Sequence, residues 1–270
     1  MSPKSLGRIA LAVFRESVRD RVFYNLVLFG VLLVGASIVI GQLTAGQDVK
    51  IIKDLGLAAT SLFGLFIAIF IGINLVSKEV ERRSVYPLLA KPITRPQFIA
   101  GKYAGLLLTL LVNLAVMTVA LYTVLYFLAR GIPVPIQGAW DAPALDPALL
   151  KAVAMIFLEL SVVTAVALFF STYSSPMLSA IFTLGVYVVG QFNAELKRFD
   201  AIVDSPVAIA VAKACYYVLP DFSRFDVKLA VVHGVPVPGA FMAASAAYAA
   251  AYVAALLFGA MVIFARRDFK

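Results

Sequence analysis

The sequence predicts an all-α polytopic membrane protein with six transmembrane helices, and three observations carry that assignment. Of its 270 residues, 62% are hydrophobic and 14% charged, against about half and about a quarter in ordinary soluble domains. The mean hydropathy of +0.96 reflects more apolar surface than a water-soluble fold can bury. The apolar residues also fall in continuous runs close to the ~20 residues that cross a hydrocarbon core as a helix. A closed barrel also satisfies its own backbone in lipid, but it would show alternating segments of about ten residues instead.

Residues 1–23 are read as a cytoplasmic amphipathic interfacial helix. Leu6, Ile9, Val13, Phe14 and Val18 recur at helical spacing, with Arg8, Arg15 and Arg19 mostly opposite. Ser2-Pro3 supplies a cap and a first helical position. Such a helix is expected to lie flat in the inner leaflet. It is followed by an apolar run longer than a signal-peptide core, so no cleaved signal is expected.

Residues 24–270 then form the six-helix transmembrane domain, with spans at 24–42, 56–76, 104–128, 149–170, 176–192 and 239–265. The fifth is the shortest. The second and third spans flank a charged loop, 77–103. It contains Lys78, Arg82, Arg83, Lys91, Arg95 and Lys102 against Glu79 and Glu81. Its punctuation predicts order: a short helix broken at Pro87, then a restart at Thr94, with Gln97 three residues on completing a capping box and Pro96 in the first turn. Val85, Leu88, Leu89 and Ile93 beside these charges read as a docking surface for a cytoplasmic partner.

Between spans three and four, Pro133, Pro135, Pro143 and Pro147 predict an extended connection, with Asp146-Pro147 as N-cap and first turn of the fourth span. "STYSS" (171–175) is a tight turn. The largest external segment is 193–238. Within it, "SPVAIAVAKACYYVLP" (205–220) is short, carries Lys213, and as a seventh span would put Arg266 and Arg267 outside, so it is read as a re-entrant or interfacial helix. The last span carries Ala243, Ala247, Ala251, Ala255 and Gly259, a row of small residues that lets a neighbouring helix approach closely.

Basic residues orient the bundle. The N-terminal segment, the 77–103 loop and the C-terminus hold 14 of the 23 Lys and Arg residues, which places the loop and both termini in the cytoplasm. The formal charge of +8 sits beside span ends, where it sets topology and meets anionic lipid headgroups; nucleic acid is not expected as a partner. Chemistry of the enzymatic kind is not expected either. One cysteine, Cys215, excludes an intrachain disulfide, and one histidine, His233, argues against a zinc or haem site. No phosphate-binding loop occurs, since Gly101-Lys102 is followed by Tyr103. Glu159, well inside the fourth span, is a functional candidate by its cost in lipid; a protonated glutamic acid bonded to a neighbouring helix is the equal alternative. Asn113 and Asn74 are weaker candidates.

The stretch "SKEVERRSVYPLLAKPITRPQFIAGKYAG" (77–105) resembles the cytoplasmic loop of permeases of the ABC-2 superfamily. Glu79, Glu81, Ser84, Leu88, Leu89, Lys91, Pro92, Ile93, Thr94, Arg95, Phe98, Gly101 and Lys102 fit the family pattern. Arg83 departs from it, standing where a glycine is common. The six-span layout, the N-terminal helix and the long segment before the last span are similar too. "YYVLPDFSRFDVK" (216–228) further resembles the subgroup associated with maturation of multicopper enzymes.

The resemblance implies a permease subunit of an ABC exporter in a bacterial or archaeal inner membrane. The chain would be non-catalytic and bind no cofactor or metal itself, ATP and Mg²⁺ lying on a separate cytoplasmic ATPase subunit. The loop would be the coupling helix seated on that subunit through Glu79, Glu81, Arg82, Arg83, Val85, Leu88, Lys91, Thr94 and Arg95. A chain of this size resembles a half-transporter, so a homodimer is expected. Glu159 and Asn113 are the candidate substrate-path residues. Two alternatives stay open: a mechanotransmitter passing force to an extracytoplasmic partner at 193–238, and an ion-driven secondary transporter, for which paired intramembrane charges and repeats are lacking.

Overall fold

The computed structural model describes residues 3–42, 48–81, 95–133, 137, 140, 142–199 and 205–266. Ten α-helices occur among them, and no strand. They are α1 (Pro3–Val18), α2 (Arg21–Gln42), α3 (Asp48–Glu81), α4 (Arg95–Gly131), α5 (Ala148–Ser171), α6 (Pro176–Gln191), α7 (Asn193–Lys197), α8 (Pro206–Val218), α9 (Lys228–Val232) and α10 (Gly239–Arg266). A 3₁₀ turn, Ser223–Phe225, precedes α9.

Helix α5 is the centre of the bundle because it is apolar all round. Ala152, Met155, Ile156, Leu160, Val162, Val163, Ala165 and Leu168 are all at most 1% exposed, enclosed by α3, α4, α6 and α10. Its start follows the expected cap. The Asp146 carboxylate accepts the Ala148 N–H at 2.8 Å, filling one orphan donor of the first turn. Its end is the expected turn at 172–175, after which Pro176 opens α6.

Among the described residues, four helices are long and apolar enough to cross a membrane: Val49–Ile73, Pro96–Gly131, Ala148–Ser171 and Gly239–Phe264. A fifth crossing is reached if Leu6–Val18 and Phe23–Val39, bent by 65°, are counted together. Helix α6, the expected fifth span, has 16 residues, about 24 Å, and so falls short of the ~30 Å hydrocarbon core. Conversely, α3 and α4 have 34 and 37 residues, roughly 50 and 55 Å. They outrun the expected spans and take in both ends of the 77–103 stretch, so Glu79 and Glu81 close α3 and Arg95 opens α4.

The space above α6, at the end of the bundle away from the 172–175 turn, is filled by chain that is mostly not helical. Phe222, Phe225, Val231 and Val232 are 0–3% exposed. The Phe222 N–H donates to the Gly190 carbonyl at 3.0 Å. Gly190 permits this approach, since a methyl there would stand 2.6 Å from the Phe222 ring. Lys151 Nζ donates to the Val237 carbonyl at 3.2 Å, fastening the segment's end to the first turn of α5. By contrast α8 is exposed, with Ala212 its buried residue and Val207, Val211, Tyr217 and Val218 between 57% and 78% exposed.

Candidate functional site

Of the charged stretch, Arg82, Arg83, Val85, Leu88, Lys91 and Thr94 lie outside the described residues, as does the helix expected before Pro87. What is described is how the stretch is held. The first turns of α4 are buried: Gln97 is 7% and Lys102 1% exposed. Lys102 Nζ lies 4.7 Å from the Phe98 ring centroid, a cation–π contact strengthened by the absence of water. Phe98 stacks on Phe264 of α10 at 5.9 Å.

One turn further, Gly101 and Gly105 form a seat for α1. A methyl on Gly101 would stand 2.6 Å from Ile9 Cγ2, and one on Gly105 2.6 Å from the Ala10 carbonyl oxygen. This is small-xxx-small packing. The apolar stripe of α1 is therefore not simply turned to lipid: Val13 and Ser17 are 5% and 1% exposed while Arg8, Arg15 and Arg19 stay exposed. Helices α1 and α10 are thus clamped to α4 just beyond the charged stretch.

The second cluster surrounds Glu159, which is 1% exposed. Gln191, the last residue of α6, donates Nε2 to Glu159 Oε1 at 2.7 Å. Oε2 has no hydrogen-bond partner among the described residues. Tyr187 is a further hydrogen-bonding neighbour of the Glu159 and Gln191 side chains. Lys228 Nζ is paired with Asp226 Oδ1 at 3.4 Å, their side chains 21% and 51% exposed. On the other flank the Tyr103 hydroxyl donates to the Ser161 carbonyl at 3.1 Å.

Asn113 is fully buried, and neither Oδ1 nor Nδ2 has a partner among the described residues. It sits on the α4 stripe with Leu110, Leu114 and Met117. Glu159 takes its hydrogen bond from α6, so the two expected path residues are not joined by a hydrogen bond. The Asn74 side chain lies outside the described residues. Among the described residues no three His, Cys, Asp or Glu side chains gather as a metal site needs.

Sequence reasoning missed Gln191 and Tyr187 as partners of Glu159, because the shortness of α6, which ends at that level, is a tertiary fact. It also missed Lys53. This lysine is 1% exposed and donates to the Pro143 carbonyl at 2.8 Å, while the Tyr122 hydroxyl donates to the Asp146 carbonyl at 2.8 Å. Together they pin the connection before α5 onto α3 and α4.

On α10 the small row faces away from the rest of the bundle: Ala243, Ala247, Ala251 and Ala255 are exposed, while Gly259 is close to Phe169. The opposite face carries Ser245, Ala249 and Ala260, all at most 2% exposed. Two of its tyrosines hold the returning segment: the Asp221 N–H donates to the Tyr248 hydroxyl at 2.8 Å, and the Tyr252 hydroxyl donates to the Leu219 carbonyl at 3.2 Å.

A helical bundle with four or five membrane-crossing helices, buried intramembrane polar groups and two helices longer than a bilayer is an integral membrane protein of the transporter kind. Residues 8–197 match the model of the ABC-2 family transporter proteins, and the chain belongs to that family. The match runs from α1 to α7 and includes the charged stretch and the Glu159–Gln191 pair. No curated protein matches the chain.

Proposed function

We propose that the chain is the membrane subunit of an ABC exporter, driven by a separate cytoplasmic ATPase subunit that binds ATP and Mg²⁺. The observation that carries this reading is the charge-dense stretch 77–103, which takes in the end of α3 and the start of α4, two helices longer than the membrane. A partner pressing on it acts directly on α3 and α4, and through the Gly101–Gly105 seat and the Phe98–Phe264 stack on α1 and α10. That is a rigid-body input of the kind that switches a bundle between two packings. The chain itself is non-catalytic in this reading. Spans are α2, α3, α4, α5, α6 with the segment that completes it, and α10, with both termini cytoplasmic in a bacterial or archaeal inner membrane. The outward small row of α10 supports a second copy as neighbour.

Glu81 and Arg82 would supply charged contacts to the ATPase, and Val85 and Leu88 would fill its groove. Truncating one member of a desolvated charge pair costs about 2–5 kcal/mol, so Glu81→Ala weakens co-purification of the ATPase in a salt-dependent manner. Leu88→Asp abolishes it. Both variants retaining full partner binding and full stimulation of ATP hydrolysis would sink the assignment.

A second reading is favoured by the packing of 219–237. A segment so tightly tied to α5, α6 and α10 is suited to carrying force to an extracytoplasmic partner at 193–238, as in a mechanotransmitter. The resemblance of 216–228 to the subgroup associated with multicopper enzymes belongs with this reading. Identifying co-purifying proteins from the outer side of the membrane separates the two.

A further inference from the structure

Towards its end α4 forms a groove of about 650 Å³ with the connection before α5 and the first turn of α5. That volume is within the ~300–1,000 Å³ of sites that take a small molecule. Val119 and Phe127 of α4, with Leu145 and Leu150, line it and are 42–66% exposed. Apolar exposure is ordinary on a face turned to lipid. What sets this place apart is its concave shape and the disposition of its polar groups.

Three of the four hydroxyls lining the groove donate within the protein. Thr118 bonds the Leu114 carbonyl and Thr123 the Val119 carbonyl, each at 2.7 Å, and Tyr122 bonds the Asp146 carbonyl at 2.8 Å. An occupant therefore meets hydrocarbon along most of the groove, where polar atoms of its own would lose hydration for little return. The fourth hydroxyl belongs to Tyr126, and there the character changes. Arg130, exposed and in the last turn of α4, leans back along the helix. Its guanidinium carbon lies 4.5 Å from the Tyr126 ring centroid, a stack that holds the planar fork in one orientation. The Asp146 carboxylate is engaged by the Ala148 N–H, and among the described residues Arg130 has no carboxylate partner.

An apolar seat with a cation at one end complements an apolar body with an anion at one end. From Thr118 to Arg130, α4 rises about 18 Å, against about 20–22 Å for one leaflet with its headgroups. A helix of a second copy suits the groove less well. Close helix packing uses small residues at the contact, and among the described residues that line the groove none is glycine or alanine. We propose that this groove binds an anionic phospholipid, one acyl chain lying against Val119, Phe127 and Leu150 and the phosphate held by the Arg130 guanidinium. Such a pair is charge-assisted and can be bidentate, which gives it geometric specificity. A lipid so held bridges the end of α4 and the first turn of α5. The inference stands on this groove and not on ATPase coupling, so either can fail alone.

The test uses the full-length protein in phosphatidylcholine vesicles. Trp140→Phe removes the one native tryptophan. Phe127→Trp then places a reporter in the groove, and Phe258→Trp, at a 70% exposed position of α10, places one outside it. Phosphatidylglycerol or phosphatidylcholine brominated on the acyl chains is titrated in as quencher. Half-quenching of the groove reporter should need about fivefold less of the brominated anionic lipid, the worth of one basic side chain at an anionic surface. Arg130→Gln should abolish that preference, and the α10 reporter should show none. Equal quenching by the two lipids, or a preference that survives Arg130→Gln, overturns the proposal. A groove reporter quenched by neither lipid overturns it as well, because the face is then covered by protein such as a second copy. If Phe127→Trp does not yield folded protein, Leu150→Trp serves as the groove reporter and the same outcomes decide.

Discussion

Replacing Gly105 with alanine tests the seat of α1 with a single methyl group. In an exposed helix interior the change is favourable by about 0.8–1.0 kcal/mol, because alanine loses less backbone freedom. At Gly105 the methyl would lie 2.6 Å from the Ala10 carbonyl oxygen and 2.6 Å from Val13 Cβ. The obstacle is backbone, so α1 has to move as a body, and overpacking of this kind costs about 1–3 kcal/mol. At Gly101 the obstacles are Ile9 Cγ2 at 2.6 Å and Cβ at 2.8 Å; Cβ is fixed to the backbone, so α1 has to shift there as well. Gly35 has nothing within 4 Å and shows the propensity gain alone. Gly35→Ala is expected to unfold at a higher temperature than both Gly101→Ala and Gly105→Ala, with Gly105→Ala about 4–16 °C below it at about 2–4 °C per kcal/mol. Tryptic cleavage at the exposed Arg8 and Arg15 should accelerate in the same order as α1 lifts. Gly105→Ala as stable and as resistant as Gly35→Ala would refute the seat.

Two further outcomes are expected. With single cysteines at Ser84 and Gln137, an impermeant reagent applied from outside should label the second and spare the first; the reverse pattern overturns the orientation. Ala251→Leu, on the outward row of α10, should lower the yield of detergent-stable dimer, whereas Ala250→Leu, off the row, should not. Equal yields would leave the row without a partner.

What was legible in the sequence followed from local physics. Continuous apolar runs announced α2, α4, α5 and α10, and Asp146-Pro147 marked the start of α5 because a carboxylate two residues ahead of a bare N–H is a local device. The helical period of residues 6–18 announced α1, but not where it docks. That depends on two glycines one turn apart, Gly101 and Gly105, whose meaning appears only when a second helix lies on them. Glu159 was legible as a costly residue, and its companions were not. Gln191 meets it because α6 stops at that level. The buried Lys53 was hidden for a related reason: α3 starts at Asp48 rather than 56, so a residue assigned to a connection belongs to a packed helix.

Helix α4 can be treated as a lever. Its fulcrum is the band where Phe98 stacks on Phe264 and Gly101 and Gly105 receive α1. Measured from the middle of that band, the rod extends only about 10 Å to Arg95 on one side and about 44 Å to Gly131 on the other. A sideways step of 1 Å at the short arm sweeps the far end through about 4 Å in the opposite direction, if α4 turns as a rigid body. Helices do not compress, so the neighbours along the long arm must travel or repack. The unequal arms trade force for reach: whatever presses on the charged stretch has to be strong and needs to move very little.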